Sequence, residues 1–269
     1  MKIANRDIIS IHTASIAMLG GILLLSCPGM ASGDEKNDRE EAVERVDAYA
    51  SFDMNKIKKT VKIFLESKTV ADRAKLVRQP DRVKPLMTRF YGGEKIAAEG
   101  FDSLKMNEIS YRDCFLTSQV TTENFLTNPI AIERVGEGEN ATYLVDWESW
   151  VGFCDLKPKE MHAKRPVTPI VMRAIISAES YFNYGFSDES KWSPYKLELR
   201  DPEFVFYGYT KKGSEADKDL ATLQKKKTKS PYLVKVAYPE GAKSKNQVEI
   251  VKVITAGWIR KEAPKKEED

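Results

Sequence analysis

Consecutive helices are concentrated in one stretch of this chain, and most of the sequence after residue 105 reads as strand. Across residues 53–91 apolar side chains recur at three- and four-residue spacing. Ile57, Val61, Phe64 and Leu65 form one stripe in a segment that Asp53 can cap. Thr69-Val70-Ala71-Asp72-Arg73 reads as a second cap and first turn, and Pro80-Asp81 opens a third helix carrying Val83, Leu86, Met87 and Phe90. Gly92-Gly93 ends it. Helices this short cannot bury a core among themselves, so they need a second layer. The strand candidates are 107–117, 127–135, 141–151, 168–178, 193–199, 203–210, 231–238 and 246–259, many of them rich in Val, Ile, Tyr and Phe. Among these strands two further helices are expected, at 157–165 and at 213–227 with Ser214 as its cap, and a short one near Glu40 precedes the helical stretch, with Val43, Val46 and Tyr49 at three-residue spacing. Helices first and a long antiparallel run afterwards define an α+β fold, read as a single domain over 53–260.

The N-terminus follows different rules. Lys2 and Arg6 precede the uncharged, largely apolar run 8–26, the pattern of an export signal. The run closes on Leu24-Leu25-Ser26-Cys27, a tetrad that resembles the lipobox of bacterial lipoproteins and makes Cys27 the candidate lipidation site. An uncleaved signal anchor and cleavage after Ala31 are the alternatives. All three leave the rest of the chain facing outward in the cell envelope, as a membrane-anchored protein or periplasmic lipoprotein. Residues 28–52 then read as a charged tether and 261–269 as a disordered charged tail. The net charge is +3, which argues against nucleic acid as a partner.

Beyond Cys27 the chain has two cysteines and one histidine, too few N and S ligands for a structural zinc site, and no metal or cofactor is expected. Cys114 and Cys154 would be free to form a disulfide after export. In a meander their strands flank a third one, which keeps them apart and favours two buried thiols.

Three segments resemble an uncharacterised family of exported or membrane-anchored proteins of planctomycete and verrucomicrobial type. They are FLESKTVADRAKLVRQPDRVKPLMTRFY, VDWESWVGF at 145–153 and YFNYGFSDESKW at 181–192. The order of elements is similar to the NTF2-like or cystatin-like arrangement, which implies helices lying against a strongly curved antiparallel sheet. That fold hosts enzymes, binding proteins and structural modules alike, so it implies no activity.

Two motifs carry the candidate site residues. Read as a strand, Val145 to Trp150 alternates, with Asp146 and Glu148 on one face at a spacing that suits general acid–base work or a pair of salt bridges. Tyr181, Asn183, Tyr184 and Trp192 belong to the densest aromatic cluster, a chemistry that dominates binding interfaces and also closes cores. His162, among Lys159, Lys164 and Arg165, reads as a solvent-facing helical histidine. The leading functional expectation is a non-enzymatic, envelope-tethered binding or scaffolding module, taking an envelope protein or a small apolar ligand. A small hydrolase or isomerase using acids in a cone cavity is the first alternative, and a structural subunit of an envelope complex the second. Cell fractionation tests the attachment: the protein is expected with the membranes, and Cys27→Ala should abolish acylation. Recovery of the native protein in the soluble fraction would refute membrane attachment.

Overall fold

Asp53 starts the folded chain. Its carboxylate accepts the backbone N–H groups of Asn55 and Lys56, each at 3.0 Å, and helix α1 runs Met54–Glu66 with Ile57, Val61, Phe64 and Leu65 buried. Thr69 caps the short α2, Val70–Ala74, by accepting the Asp72 N–H at 3.1 Å. Helix α3, Pro80–Tyr91, begins on the proline, where a missing N–H leaves no helical bond unmade, and ends at Gly92 in the left-handed region. The computed structural model describes residues 52–105, 110–112 and 114–260, with no side-chain description at 110–112. The export segment with Cys27, the tether before Phe52 and the tail 261–269 lie outside the described residues. Among the described residues no helix is long and apolar enough to cross a membrane.

The three helices pack on an antiparallel sheet built from β1 (Ser103–Leu104), β2 (Ser110–Arg112), β3 (Phe115–Thr121), β4 (Thr127–Val135) and β5 (Thr142–Val145). Its order is β1-β3-β4-β5, with β2 also paired to β3. Leu116, Val120, Ile130, Ile132 and Val145 merge with the helical stripes into a first core. Helices on a strongly curved, mostly antiparallel sheet make this α+β fold an NTF2-like or cystatin-like arrangement.

The second half closes on itself. After the single-turn α4 (Trp147–Trp150) and α5 (Pro158–Lys164) come β6 (Ile170–Ala178), β7 (Trp192–Glu198), β8 (Val205–Lys211), α6 (Glu215–Lys226), β9 (Lys229–Ala237) and β10 (Gln247–Ala256). These five strands form a closed barrel in the order β10-β8-β7-β6-β9. The closing pair, β8 with β10, is parallel from Gln247↔Tyr207 to Glu249↔Tyr209, whereas the sequence pointed to antiparallel pairing throughout. A second core fills the barrel and the helices against it: Met172, Ala174, Ile176, Tyr195, Leu197, Phe206, Val234 and Val248, with Met161 from α5 and Leu220 and Leu223 from α6. All described residues fall within one compact unit.

Two strand boundaries differ from the sequence reading. The strand expected over 141–151 stops at Val145, because Asp146 caps a helical turn by accepting the Ser149 N–H at 2.8 Å. The strand expected over 107–117 is instead β2 and then β3, which extends to Thr121.

Candidate functional site

Asp146 and Glu148 do not share a strand face. The turn after β5 buries both, together with Trp147, Ser149 and Trp150, at the contact between the two cores. Arg78 places one guanidinium nitrogen 2.5 Å from Asp146 and its Nε 2.8 Å from Glu133. Burial works against the Arg78 charge, but Asp146 and Glu133 outweigh it and raise its pKa. Glu148 accepts a hydrogen bond from Arg82 of α3 and lies 3.7 Å from Nη2 of Arg173, a fully buried residue of β6. Burial alone would raise the Glu148 pKa. The Arg82 hydrogen bond and the charges of Arg173, Arg82 and Arg260 reverse that and hold it below the usual range. A carboxyl group kept ionised in this way is the opposite of a general acid poised near neutrality. The geometry makes this cluster a set of structural ion pairs.

Around it, Arg173 also donates to the carbonyls of Phe153 at 2.7 Å and Trp258 at 2.9 Å. The Trp147 indole N–H donates to the Tyr91 hydroxyl at 3.0 Å, and Arg73 reaches the same hydroxyl and Glu99. The tryptophans of the VDWESW motif are therefore core side chains with satisfied polar ends. Cys114 and Cys154 are free thiols, each in its own setting rather than in a disulfide. The Cys114 thiol approaches the Glu133 carboxylate at 3.8 Å, and Cys154 accepts the Arg173 N–H at 3.4 Å. The order β3-β4-β5 is the meander that separates their segments. Burial raises both thiol pKa values.

The other candidates gather at one end of the barrel. The Asn183 side chain accepts the Tyr184 N–H at 2.8 Å and donates to the Tyr181 hydroxyl at 3.1 Å. The Tyr181 ring packs 4.5 Å from that of Tyr207. Phe186 anchors the loop: it stacks on Tyr209 at 4.1 Å and meets the edge of Trp192 at 4.9 Å. The Tyr209 hydroxyl donates to the Tyr181 carbonyl and accepts from Gln247, each at 2.9 Å, while burial pushes its pKa up to about 12. Tyr181, Asn183, Tyr184 and Trp192 are thus brought together, and Asp146 and Glu148 belong to a different cluster.

Facing Tyr184, Gly185 and Phe186 is the β9–β10 loop from Pro239 to Ser244. Between them, above Gln247, lies an open groove of about 390 Å³. Sequence reading missed this second wall. Pro239-Glu240-Gly241 marks a turn, but nothing local ties it to the aromatic loop. Tyr184 is 54 % exposed and has φ 50°, a left-handed conformation that a bulky side chain rarely adopts.

His162 is not solvent-facing. Its ring packs 5.3 Å from Phe204 and 4.9 Å from Phe206, and its buried Nε2 has no hydrogen-bond partner among the described residues. Burial, followed by the charges of Lys245 and Arg165, lowers its pKa. Among the described residues no cluster of His, Cys, Asp and Glu is arranged to hold a metal ion. No family model, curated protein or solved structure matches this chain.

Two outcomes follow from these contacts. Glu148→Gln removes the nearest counter-ion of the buried Arg173, leaving only the more distant Asp146, and should cost about 3–5 kcal/mol of stability in urea unfolding. A loss below about 1 kcal/mol would mean the pair is not holding the halves together. The lowered His162 pKa means the unfolded chain takes up that proton first as pH falls. Its contribution should be complete above about pH 6.5 and decline as pH drops through the lower folded value. Thermal melts of His162→Phe should lose this pH dependence between about pH 6.5 and 5, with the carboxylates dominating below that. An unchanged profile would show that the ring titrates as it does in water.

Proposed function

We propose that this chain is a non-enzymatic binding module of the cell envelope, held to the membrane through its N-terminus and presenting the groove at the barrel end to a segment of a partner protein. One observation carries the reading: Tyr184, an exposed aromatic residue, is held in a left-handed conformation over an open groove. Such strain persists only where surrounding structure enforces it, and it clusters at functional positions. Here Asn183 pins the backbone and Phe186 fixes the loop to the barrel. The presented ring has few rotamers to lose on contact, so its apolar area is available at small entropic cost. The acids that might have served an enzyme are instead engaged by arginines. The apolar run 8–26 and Cys27 support the membrane attachment and the outward orientation.

A photo-crosslinking amino acid at position 184 of the full chain, activated in intact cells, should give a discrete protein adduct. The same residue at Lys218, exposed on α6, should not. No adduct from 184, or identical adducts from both positions, would sink the proposal. Tyr184→Gly should abolish the partner interaction while raising stability by about 0.5–1 kcal/mol, because glycine adopts this conformation without strain.

A further inference from the structure

The β3–β4 hairpin ends in a different kind of exposed surface. Phe125 is 84 % exposed and Leu126 62 % exposed, side by side at its tip. The turn is closed by Phe125 N–H to the Thr122 carbonyl at 2.9 Å and Thr122 N–H to the Leu126 carbonyl at 3.0 Å. Phe125 occupies the left-handed position of this turn at φ 59°. Glycine is the unstrained residue there, yet the chain places a phenylalanine.

The surroundings of the tip lack charge. Residues 118–129, SQVTTENFLTNP, contain a single ionisable side chain, Glu123, in a chain that is 31 % charged. That carboxylate folds back over Gly100: a Cβ added at Gly100 would lie 2.4–2.6 Å from the end of the Glu123 side chain. The next charged residues across the sheet, Asp102 and Lys105, bond through their backbones to Thr121 and Gln119 and so stand back at the neck. The neck hydroxyls are already engaged, Thr121 with Thr127 at 2.9 Å and Thr122 with the Leu126 carbonyl at 3.4 Å. A turn that exposes two adjacent apolar side chains, with its one carboxylate, Glu123, exposed but turned toward Gly100, and Asn124 between it and Phe125, is matched to the interfacial zone of a lipid bilayer. There aromatic rings settle at headgroup level, while neighbouring polar side chains such as Asn124 and Glu123 stay among headgroups and water. A protein partner would instead have to offer a concave pocket shaped to the tip.

We infer that Phe125 and Leu126 form a membrane-dipping wedge, a second contact with the bilayer to which the N-terminus tethers the chain. The inference rests on the membrane attachment proposed above. Reach is no obstacle: the chain enters the domain near the β4–β5 turn, where Lys56 bonds the Glu139 carbonyl. The tip lies one strand length away, about 30 Å. Residues 28–51 extend to at most about 80 Å. The absence of basic residues at the tip specifies a neutral lipid surface rather than an anionic one.

The test uses the full chain with Phe125→Trp, and separately Leu126→Trp, reconstituted into phosphatidylcholine vesicles with brominated acyl chains. The wedge predicts a tip emission shifted to the blue and quenched by bromine, relative to the parent protein, in at least one of the two variants. Glu at the neighbouring tip position should return the emission to its water-exposed wavelength. Tip fluorescence that stays water-like in both variants, with the protein itself still on the vesicles, would overturn the wedge and leave the tether standing. Failure of the protein to stay on the vesicles would overturn both. A blue shift that needs no lipid and grows with protein concentration would assign the tip to a second copy of the chain and overturn the bilayer contact.

Discussion

A fully buried arginine on the barrel wall dictates how the two halves of this protein meet. Arg173 lies on β6 between Met172 and Ala174, both of which belong to the barrel core, so its side chain projects toward the helical half. A guanidinium cannot shed its charge at any ordinary pH. The opposite half must therefore supply a countercharge and an acceptor, and it does so with Glu148, paired at 3.7 Å, and the Phe153 carbonyl, while the segment after β10 adds the Trp258 carbonyl as a second acceptor. Delivering them requires the chain after β5 to leave the sheet, make one helical turn and run along β6. Asp146 makes that exit by capping the turn, and Gly152 permits the close passage. At φ 61° a Cβ there would also lie 2.8 Å from the Cβ of Arg200. Ion pairs in such a place add little net stability, but an arrangement that breaks them is strongly penalised. They fix how the halves dock more than how tightly.

The same constraint explains which parts of the fold were legible in the sequence. The three N-terminal helices and α6 followed from caps, proline and glycine stops and apolar spacing, all local signals, and Asp53, Thr69 and Ser214 cap as expected. Val145 to Trp150 alternates as a strand would, yet it turns, because the pull on Asp146 and Glu148 comes from Arg78, Arg82 and Arg173, far away in sequence. Closure of the barrel was likewise hidden. It depends on β6 pairing with β9 and β8 pairing in parallel with β10, and alternation within a strand does not say which strand lies beside it. Half of the candidate site could be read for a similar reason. The cluster from Tyr181 to Trp192 announces itself by composition, but the loop from Pro239 to Ser244 becomes its opposite wall only once the barrel closes.

Five non-glycine residues have positive φ among the described residues, and they divide in an informative way. Gln79, Arg165 and Lys227 sit at helix boundaries, where a left-handed residue turns the chain into or out of the helix. Phe125 lies in a hairpin turn and Tyr184 opens a three-residue 3-10 turn, Tyr184–Phe186, so neither borders an α-helix. They are also the two most exposed of the large aromatic residues in the described structure. A bulky ring in this conformation is an outlier on its own, and an exposed ring gains no burial in return. Both anomalies occur at loop tips, held by turn hydrogen bonds on strands of otherwise regular register.

Chemical richness is therefore a poor guide to function in this molecule. The contact between the cores gathers carboxylates, arginines, tryptophans and a tyrosine, the vocabulary of an active site. Its carboxylates are all engaged by arginines, and the nitrogens left without a hydrogen bond, on Arg73, Arg173 and Arg260, are buried away from any ligand. Satisfied groups of this kind have little left to offer a ligand; their energy is already committed to the fold. The two strained aromatics show the reverse: ordinary residue types in short loops, with apolar area facing water and a backbone held away from its preferred conformation. A local rule broken without a gain inside the folded chain points to a gain made outside it.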